Sequence, residues 1–310
     1  MTTEDVLFSP ADAKPCSARE YINRQFRHES ITFLRKCLNG FYHRDLPGAF
    51  RINTAECIRS YYNGKREKMR NWAQSITWDQ LIYGNASYQD PRTATGQFVL
   101  LDDCVVWSGP GEPRSRLLNR LQKAVTDCVP PGGVVVEMGS GDGRNLLYLK
   151  RLFSDRTFIG LEVSPSSVKI AQDFSIQFGL PVTFVETDLS LGTPVDLQGV
   201  SADLVYSCHT LQMMPRIFSQ ALKVSMNLSR KHIILFEPVW ELWPWNKRGI
   251  ISRIRCLNTD QARGIMAAIS QLSASTGWRL TKAERLKVCS SPFIEPSEIR
   301  LEIIERTQSS

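Results

Sequence analysis

Three glycines at alternate positions are the residues of this chain whose spacing most clearly suggests chemistry. Gly139, Gly141 and Gly143 follow the β-branched run 134–136 and precede a helical pattern that starts at Asn145. A turn between a strand and a helix N-terminus offers backbone amides to a polar or anionic ligand, and glycine lets a ligand approach the backbone closely. The stretch therefore indicates either an ordinary strand-to-helix turn or a site for a nucleotide-like ligand.

Three carboxylates, Glu137, Glu162 and Asp188, stand at or just after the ends of successive β-like segments. In an open α/β sheet, ligands bind outside the carboxyl ends of the strands. Glu162 can accept hydrogen bonds from both hydroxyls of a ribose, Asp188 can accept one from an exocyclic amine such as that of adenine, and Glu137 can orient the loop or pair with an ammonium group. Alone, each is typical of a helix cap or a surface position. Their order favours a nucleoside site.

A dinucleotide site is the alternative that the glycines raise, because its fingerprint is G-x-G-x-x-G. Here the third glycine is displaced by one position, and Arg144 stands where the fingerprint requires glycine. A carboxylate, Glu137, also lies two positions before the first glycine. Both features weigh against NAD or FAD.

The elements that would position these residues alternate along the chain. Short apolar, β-rich runs separated by helical segments are typical of parallel strands that are buried on both faces. The predicted strands are 134–138, 157–162, 182–186, 203–207 and 232–237. Two longer runs, 278–288 and 298–305, predict an antiparallel hairpin at the sheet edge. We therefore predict an α/β fold with a doubly wound, mostly parallel seven-stranded sheet.

The preceding part of the chain predicts a mainly helical N-terminal extension. We predict a cap or substrate region over residues 1–112 and a cofactor-binding domain over residues 113–310. Helices are predicted over 18–39 and 54–62, a hairpin over 98–107, and a further helix over 116–127. The basic run 65–70 predicts a solvated helix face or, alternatively, a contact with a phosphate or carboxylate.

Bulk properties limit the partners. The formal charge of +7 is spread along the 310 residues, so it permits an anionic partner without requiring a nucleic acid. The eight cysteines form no CxxC pair and no zinc-site spacing, so we expect no metal. The start is polar and acidic, unlike a signal peptide, and no apolar run reaches the roughly 18 residues that span a membrane. We expect a cytoplasmic protein with reduced thiols; its oligomeric state is left open.

The stretch Glu137-x-Gly139-x-Gly141-x-Gly143 resembles the signature loop of the class I S-adenosylmethionine-dependent methyltransferases, which have a Rossmann-like fold. Residues 159–164, 186–189 and 203–211 resemble the second, third and fourth strands of that family. The resemblance covers about residues 116–240 well and the C-terminal hairpin more loosely, and it does not cover residues 1–110. It implies a methyltransferase with S-adenosyl-L-methionine as its cofactor.

The resemblance also implies which residues bind that cofactor. The backbone of the loop would face its methionine part, Glu162 its ribose and Asp188 its adenine amine. Leu189 would pack on the adenine ring, and the carbonyl of Ser207 or Cys208 would approach the methionine ammonium. The implied cofactor-binding residues are Glu137, Gly139, Ser140, Gly141, Gly143, Glu162, Val163, Asp188, Leu189, Ser207 and Cys208.

Methyl transfer from a sulfonium is an in-line displacement, so alignment and water exclusion can supply much of the catalysis. A general base is needed only if the acceptor must lose a proton. His209, just after the fourth strand, and Glu237, at the end of the fifth, are the candidates, although His209 can equally be structural. Many small-molecule members of the family carry an acid or histidine where this chain has Gln212, so their base role does not transfer directly.

Aromatic segments on both sides of the core suggest the acceptor pocket. Trp240 and Trp243 follow the fifth strand and predict an apolar wall or lid, or alternatively a small satellite core. Trp78 and Tyr83 are the N-terminal candidates. We predict a small-molecule acceptor, such as a secondary metabolite, with its reacting atom (O, N or C) left open. The alternatives are a methyltransferase acting on RNA or protein, and a non-catalytic S-adenosylmethionine-binding protein.

Overall fold

The structure is a computed structural model that describes residues 17–42, 59, 75–84, 96–109, 111–194 and 197–303. Its strands are β1 (Gln97–Leu101), β2 (Cys104–Ser108), β3 (Val134–Met138), β4 (Thr157–Glu162), β5 (Thr183–Glu186), β6 (Ala202–Cys208), β7 (Ser229–Pro238), β8 (Trp278–Arg285), β9 (Val288–Cys289) and β10 (Pro296–Ile303). Its helices are α1 (Ala18–Tyr42), α2 (Trp78–Tyr83), α3 (Gly111–Cys128), α4 (Arg144–Leu152), α5 (Pro165–Gln177), α6 (Phe218–Leu228), α7 (Lys247–Asn258) and α8 (Ile265–Thr276).

The main sheet has seven strands in the order β5-β4-β3-β6-β7-β10-β8. The first five are parallel, and β10 runs antiparallel to both β7 and β8. Alternate residues of a strand face opposite sides of the sheet, so Val135 packs into one buried cluster and Val136 into the other. The predicted α/β fold, with a mostly parallel sheet and an antiparallel C-terminal hairpin, is confirmed.

A second, smaller sheet has the order β2-β1-β9 and links the N-terminal part of the chain to the C-terminal hairpin. In it, Leu100 lies opposite Cys289. The sequence predicted one continuous strand over 278–288, but β8 ends at Arg285 and β9 joins this other sheet. The backbone of Lys287 has φ of +57°, which is incompatible with an extended strand and turns the chain between the two.

Helix α3 begins at Gly111, five residues before the predicted start at residue 116. Pro113, which lies before the predicted start, stands in the first turn of the helix. A proline is tolerated there because the first amides of a helix have no intrahelical acceptor. The earlier start matters for the site, since it brings Pro113 and Arg114 onto a helix beside the glycine loop.

The described N-terminal elements pack on the same core as the main sheet. Leu81 and Ile82 of α2 are fully buried in the cluster that also contains residues of α3 and α4. Helix α1 packs along α7, where Asn258 Nδ2 donates to Glu29 Oε2 over 2.6 Å. Tyr21 stacks on Phe98 with 4.3 Å between ring centroids.

Some sequence predictions fall outside the described residues: the helix over 54–62, except for Arg59, and the basic run 65–70. Among the residues that are described, no helix combines the length and the apolar composition needed to cross a bilayer.

Candidate functional site

A cavity of about 370 Å³ lies at the carboxyl ends of the parallel strands. It collects most of the site residues that the sequence predicted. Those that line it are Glu137, Gly139, Ser140, Gly141, Glu162, Val163, Asp188, Leu189, Cys208 and His209. Those that do not are Gly143, Ser207, Glu237, Trp78, Tyr83, Trp240 and Trp243.

The glycine loop between β3 and α4 needs its glycines for both conformation and packing. Gly139, Gly141 and Gly143 have φ values of +68°, +56° and +76°. A Cβ on Gly139 would lie 2.3 Å from the Thr210 side chain, and one on Gly143 would lie 2.5 Å from Phe184. These contacts and the left-handed backbone leave no room for a larger residue. Gly143 is the N-cap of α4 and does not line the cavity, so its glycine is needed for the start of the helix.

Glu162, at the end of β4, holds the glycine loop in place. Its Oε2 accepts a hydrogen bond from the Gly141 amide, and its Oε1 accepts one from the Ser164 amide, both over 2.9 Å. Glu162 also lines the cavity, so its carboxylate can contact a ligand there. Glu162 can therefore bind vicinal hydroxyls while it fixes the loop.

Asp188 follows β5 and shapes the far end of the cavity. Its Oδ1 accepts from the Ser190 amide over 2.9 Å and from the Ser190 hydroxyl over 2.6 Å. These bonds cap the short 3-10 turn Leu189–Leu191, in which Leu189 is buried against the cavity. The turn thus places the Asp188 carboxylate next to the apolar side chain of Leu189. An aromatic base that carries an amine could contact both.

A hydrogen-bonded chain of three side chains closes the opposite end. Arg114 Nη1 donates to Asn145 Oδ1 over 2.7 Å, and Asn145 Nδ2 donates to Glu137 Oε1 over 2.6 Å. Within the part of the chain that the structure describes, Arg114 Nη2 and Glu137 Oε2 are buried and make no hydrogen bond. Arg114 and Glu137 thus belong to one hydrogen-bonded chain, and both residues line the cavity.

Burial changes the protonation of this pair. Burial raises the pKa of Glu137 to about 8, although Asn145, Tyr206 and Arg114 favour the ionised carboxylate. The Tyr206 phenol lies close enough to act in this way, but it does not reach hydrogen-bond geometry. Burial and the positive charge of Arg144 lower the pKa of Arg114 to about 10, so Arg114 stays charged at neutral pH. A ligand that carries an ammonium group would draw Glu137 into its ionised form.

Sequence reasoning did not single out Arg114, because one arginine in a polar helix start gives no periodic signal. The structure gives it two hydrogen bonds, one to Asn145 and one to the backbone of α2. Arg114 Nε donates to the Ile82 carbonyl over 2.9 Å, which ties α2 to the site. Arg144, the residue that argued against a dinucleotide loop, pairs with Asp142 over 2.7 Å and so braces the loop.

The turn after β6 carries His209 and is fixed from below by Glu237. Glu237 is fully buried at the end of β7 and accepts hydrogen bonds from the amides of Thr210 and Gln212 over 2.8 and 3.2 Å. Burial raises the pKa of Glu237 to about 7, although the backbone hydrogen bonds favour the ionised carboxylate and so lower it. Glu237 therefore supports the turn and does not face the cavity. Ser207 lies fully buried in the strand before it.

The other wall of the cavity comes from β9 and α3. Val288, Cys289 and Ser290 line it from one side, and Leu117 from the other. Burial raises the pKa of the Cys289 thiol to about 12 and that of Cys208 above its usual range, so both are neutral. This wall is mainly apolar, and nothing in its local sequence marked it.

The structure places the four predicted substrate aromatics elsewhere. Trp243 Nε1 donates to the Glu295 carbonyl over 3.0 Å, and its ring centroid lies 6.4 Å from that of Trp240. Trp78 packs edge-on against Phe178 at 5.3 Å, and Tyr83 packs against the core beside α2. These contacts with the rest of the protein place the four side chains outside the cavity lining.

Among the described residues, no group of three or more His, Cys, Asp or Glu side chains is arranged to hold a metal ion.

Comparisons with known proteins concern the region that forms this cavity. Residues 135–230 match the model of a family described as "Methyltransferase domain". No curated protein matches the chain. Solved structures with a similar fold include an S-adenosylmethionine-dependent methyltransferase from Aquifex aeolicus, at 14% identity, with 61% of this chain and 93% of that one covered and a TM-score of 0.44.

Two further structures are similar at the same level. A methyltransferase from Geobacter sulfurreducens in complex with S-adenosyl-L-homocysteine is 17% identical, with 54% of this chain and 65% of that one covered and a TM-score of 0.40. The [4+2]-cyclase SpnF is 14% identical, with 77% and 95% covered and a TM-score of 0.48. None of these similarities assigns a substrate to this chain.

Proposed function

We propose that this chain, a member of the class I S-adenosylmethionine-dependent methyltransferase superfamily, methylates a small-molecule acceptor. The family match over residues 135–230 confirms the resemblance of the glycine loop, and with it the enzyme class and the cofactor. The observation that carries the rest of the proposal is the cavity itself. Arg114 and Glu137 stand at one end of the cavity and Asp188 at the other, and the remaining wall is apolar.

The residues at the two ends fit the cofactor. Arg114 and Glu137, which both line the cavity, would face the carboxylate and the ammonium of its methionine part. The Glu162 carboxylate, which lines the cavity, would accept hydrogen bonds from the ribose hydroxyls. Asp188 would accept from the adenine amine, and Leu189 would contact the adenine ring. When bound, the cofactor supplies a methyl group on a positively charged sulfur.

The chain's own contribution to the reaction is alignment and exclusion of water. Arg114 and the loop would hold the methionine end of the cofactor, and the turn that carries Cys208 and His209 lines the same cavity. Val288 and Cys289 stand on the facing wall and keep that region apolar. An acceptor held between the turn and this wall would approach the methyl group in line with the carbon–sulfur bond.

The apolar wall supports a small molecule over an RNA or protein acceptor. Leu117, Val288 and Cys289 offer few polar groups for reading a phosphate backbone, and the pocket is of the size that small molecules occupy. We further propose that residues 1–112 form the substrate-side region and residues 113–310 the cofactor domain. A cytoplasmic location belongs to the same proposal.

A transfer assay tests the proposal. Cell extract is separated by ultrafiltration into small molecules and macromolecules, and each fraction is incubated with the protein and tritiated S-adenosylmethionine. We expect label to appear in the small-molecule fraction and to be lost with Arg114→Met. Label confined to RNA or protein would contradict the small-molecule acceptor.

A further inference from the structure

His209 stands on a strained turn that aims its ring at the cavity. Its backbone φ is +58°, which is uncommon for a residue other than glycine. The His209 amide donates to the Phe236 carbonyl over 3.0 Å, and the following residues are fixed by Glu237. The surrounding structure thus maintains a conformation that the residue alone would not adopt.

One side chain, Gln212, determines which ring nitrogen of His209 carries the proton. Gln212 Nε2 lies 3.3 Å from the His209 carbonyl oxygen and 3.1 Å from His209 Nδ1. A carbonyl oxygen can only accept, so the amide atom beside it must be the NH2 group; the flipped amide would set two oxygens against each other. The same NH2 group therefore donates to Nδ1. The Gln212 oxygen is buried without a partner, a cost that the two hydrogen bonds offset.

This hydrogen bond fixes the tautomer. A neutral imidazole has one donor and one acceptor nitrogen. With Nδ1 accepting, the proton must be on Nε2. Burial, together with the nearby positive charge of Arg114, lowers the pKa of His209 to about 4, so the ring stays neutral at physiological pH.

The other acids that line the cavity are committed elsewhere. Asp142 pairs with Arg144 over 2.7 Å, Glu162 accepts two backbone amides, and Asp188 lies at the adenosine end. Glu137 faces the cofactor's ammonium in the proposed function. Within the described residues, the methyl end of the cavity thus has a hydrogen-bond donor and no free base.

We infer that His209 donates a hydrogen bond from Nε2 to an oxygen of the acceptor, and that the acceptor is an acid already ionised when it binds: a carboxylate, or an acidic phenol or enol. The inference rests on the proposed function. An electron pair of the acceptor oxygen forms the new carbon–oxygen bond while the carbon–sulfur bond breaks and its electrons remain on sulfur. The products are the methyl ester or ether and S-adenosylhomocysteine, and no proton has to be removed.

The tautomer can be measured on the full-length protein without any acceptor. Long-range ¹H–¹⁵N correlation spectra of the ¹⁵N-labelled chain distinguish Nδ1–H from Nε2–H histidine. His209→Gln identifies the signal among the four histidines, and His232→Gln, on β7 outside the cavity, is the matched control. We expect Nε2–H and a neutral ring at pH 7. Gln212→Glu, whose carboxylate accepts from Nδ1, should switch the tautomer. An Nδ1–H ring in the wild type would overturn the inference even if methyl transfer is observed.

Binding of matched probes tests the acceptor class. In the presence of S-adenosylhomocysteine, 4-nitrophenolate should bind and shift the His209 Nε2 signal, whereas 4-nitroaniline, of the same shape but neutral, should not. His209→Ala should weaken 4-nitrophenolate about tenfold, because a hydrogen bond to a charged group is lost. His209→Gln, which keeps an N–H donor, should retain most of the affinity. Equal loss in both variants, or no preference for the anion, would contradict the inference.

Discussion

Thr210 Oγ1 donates a hydrogen bond to the Met138 carbonyl over 3.0 Å and so joins the turn after β6 to the start of the glycine loop. The bond couples the element that carries His209 to the element that would hold the cofactor. Replacing the hydroxyl removes the coupling without changing the volume of the side chain.

We expect Thr210→Val to lower the free energy of unfolding by about 1–2 kcal/mol, since a buried carbonyl loses its donor. It should also weaken S-adenosylhomocysteine binding. Urea denaturation and isothermal titration calorimetry measure the two effects. Thr281→Val, on the exposed face of β8, is the control and should change stability by less than about 0.5 kcal/mol. Equal behaviour of the two variants would contradict a coupling role.

Gly139 and Gly132 separate the effect of backbone conformation from that of packing. Both have left-handed φ values, +68° and +72°, but a Cβ would clash with Thr210 at Gly139 and would meet open space at Gly132. Gly132→Ala should therefore cost only the conformational term, about 1 kcal/mol. Gly139→Ala should cost about 3 kcal/mol or more and abolish the S-adenosylhomocysteine-induced rise in melting temperature. A Gly139→Ala protein that is as stable as Gly132→Ala would show that Thr210 yields readily.

Arg114 is predicted to recognise the carboxylate of the cofactor. Arg114→Met should weaken S-adenosylhomocysteine about tenfold to a hundredfold, because a charge-assisted hydrogen bond is lost. Methylthioadenosine lacks the amino-acid part, so its affinity should not change. Arg120→Met, on the more exposed side of the same helix, is the matched control. Isothermal titration calorimetry measures both affinities. An equal loss of affinity for S-adenosylhomocysteine and for methylthioadenosine in Arg114→Met would contradict the assignment.

The raised pKa of Glu137 predicts a pH dependence of stability. Since the folded-state pKa of about 8 exceeds the ordinary value of 4.5, the stabilisation is full below pH 4.5 and is lost as pH rises through 8. The loss is on the order of a few kcal/mol. The groups facing Glu137 are Arg114, Asn145, Tyr206 and Asp142. Glu137→Gln should flatten this part of the profile, measured by urea denaturation between pH 5 and about 9. If Glu137→Gln left the slope of unfolding free energy against pH unchanged, the pH dependence would belong to another group. Glu237, whose pKa is also raised, is the first candidate.

Local sequence patterns predicted the part of the molecule in which strand, turn and helix follow one another closely. The β-branched run 134–136, followed directly by the glycine loop, predicts a short buried strand. Glu162 and Asp188 could be predicted as site residues because they stand at the end of β4 and just after β5. Parallel strands bring their carboxyl ends together, so residues far apart in sequence meet at one edge. This is why the cofactor half of the cavity could be outlined without a structure.

The wall of the cavity formed by β9 and α3, where we propose that the acceptor binds, depends on pairings that no local pattern records. Cys289 reaches the cavity because β9 pairs with β1, across almost the whole chain. Gln212 and His209 meet through a strained turn, and Arg114 is directed inward by Ile82 and Asn145. Sequence alone does not place the tryptophans, because a large apolar ring is stabilised equally by a substrate and by neighbouring side chains. Trp243 lies outside the cavity lining and donates to the Glu295 carbonyl.

The pairing of β1 with β9 has a consequence for how this enzyme can diversify. One wall of the acceptor half is the far edge of a three-stranded sheet whose other two strands form a compact hairpin, Gln97–Ser108. Insertions or exchanges in that hairpin would tilt β9 and reshape the acceptor compartment, while the glycine loop, Glu162 and Asp188 stay where they are. In the proposed function, substrate range and donor chemistry would thus depend on separate pieces of the chain, and a library confined to the hairpin would be the economical way to redirect the enzyme.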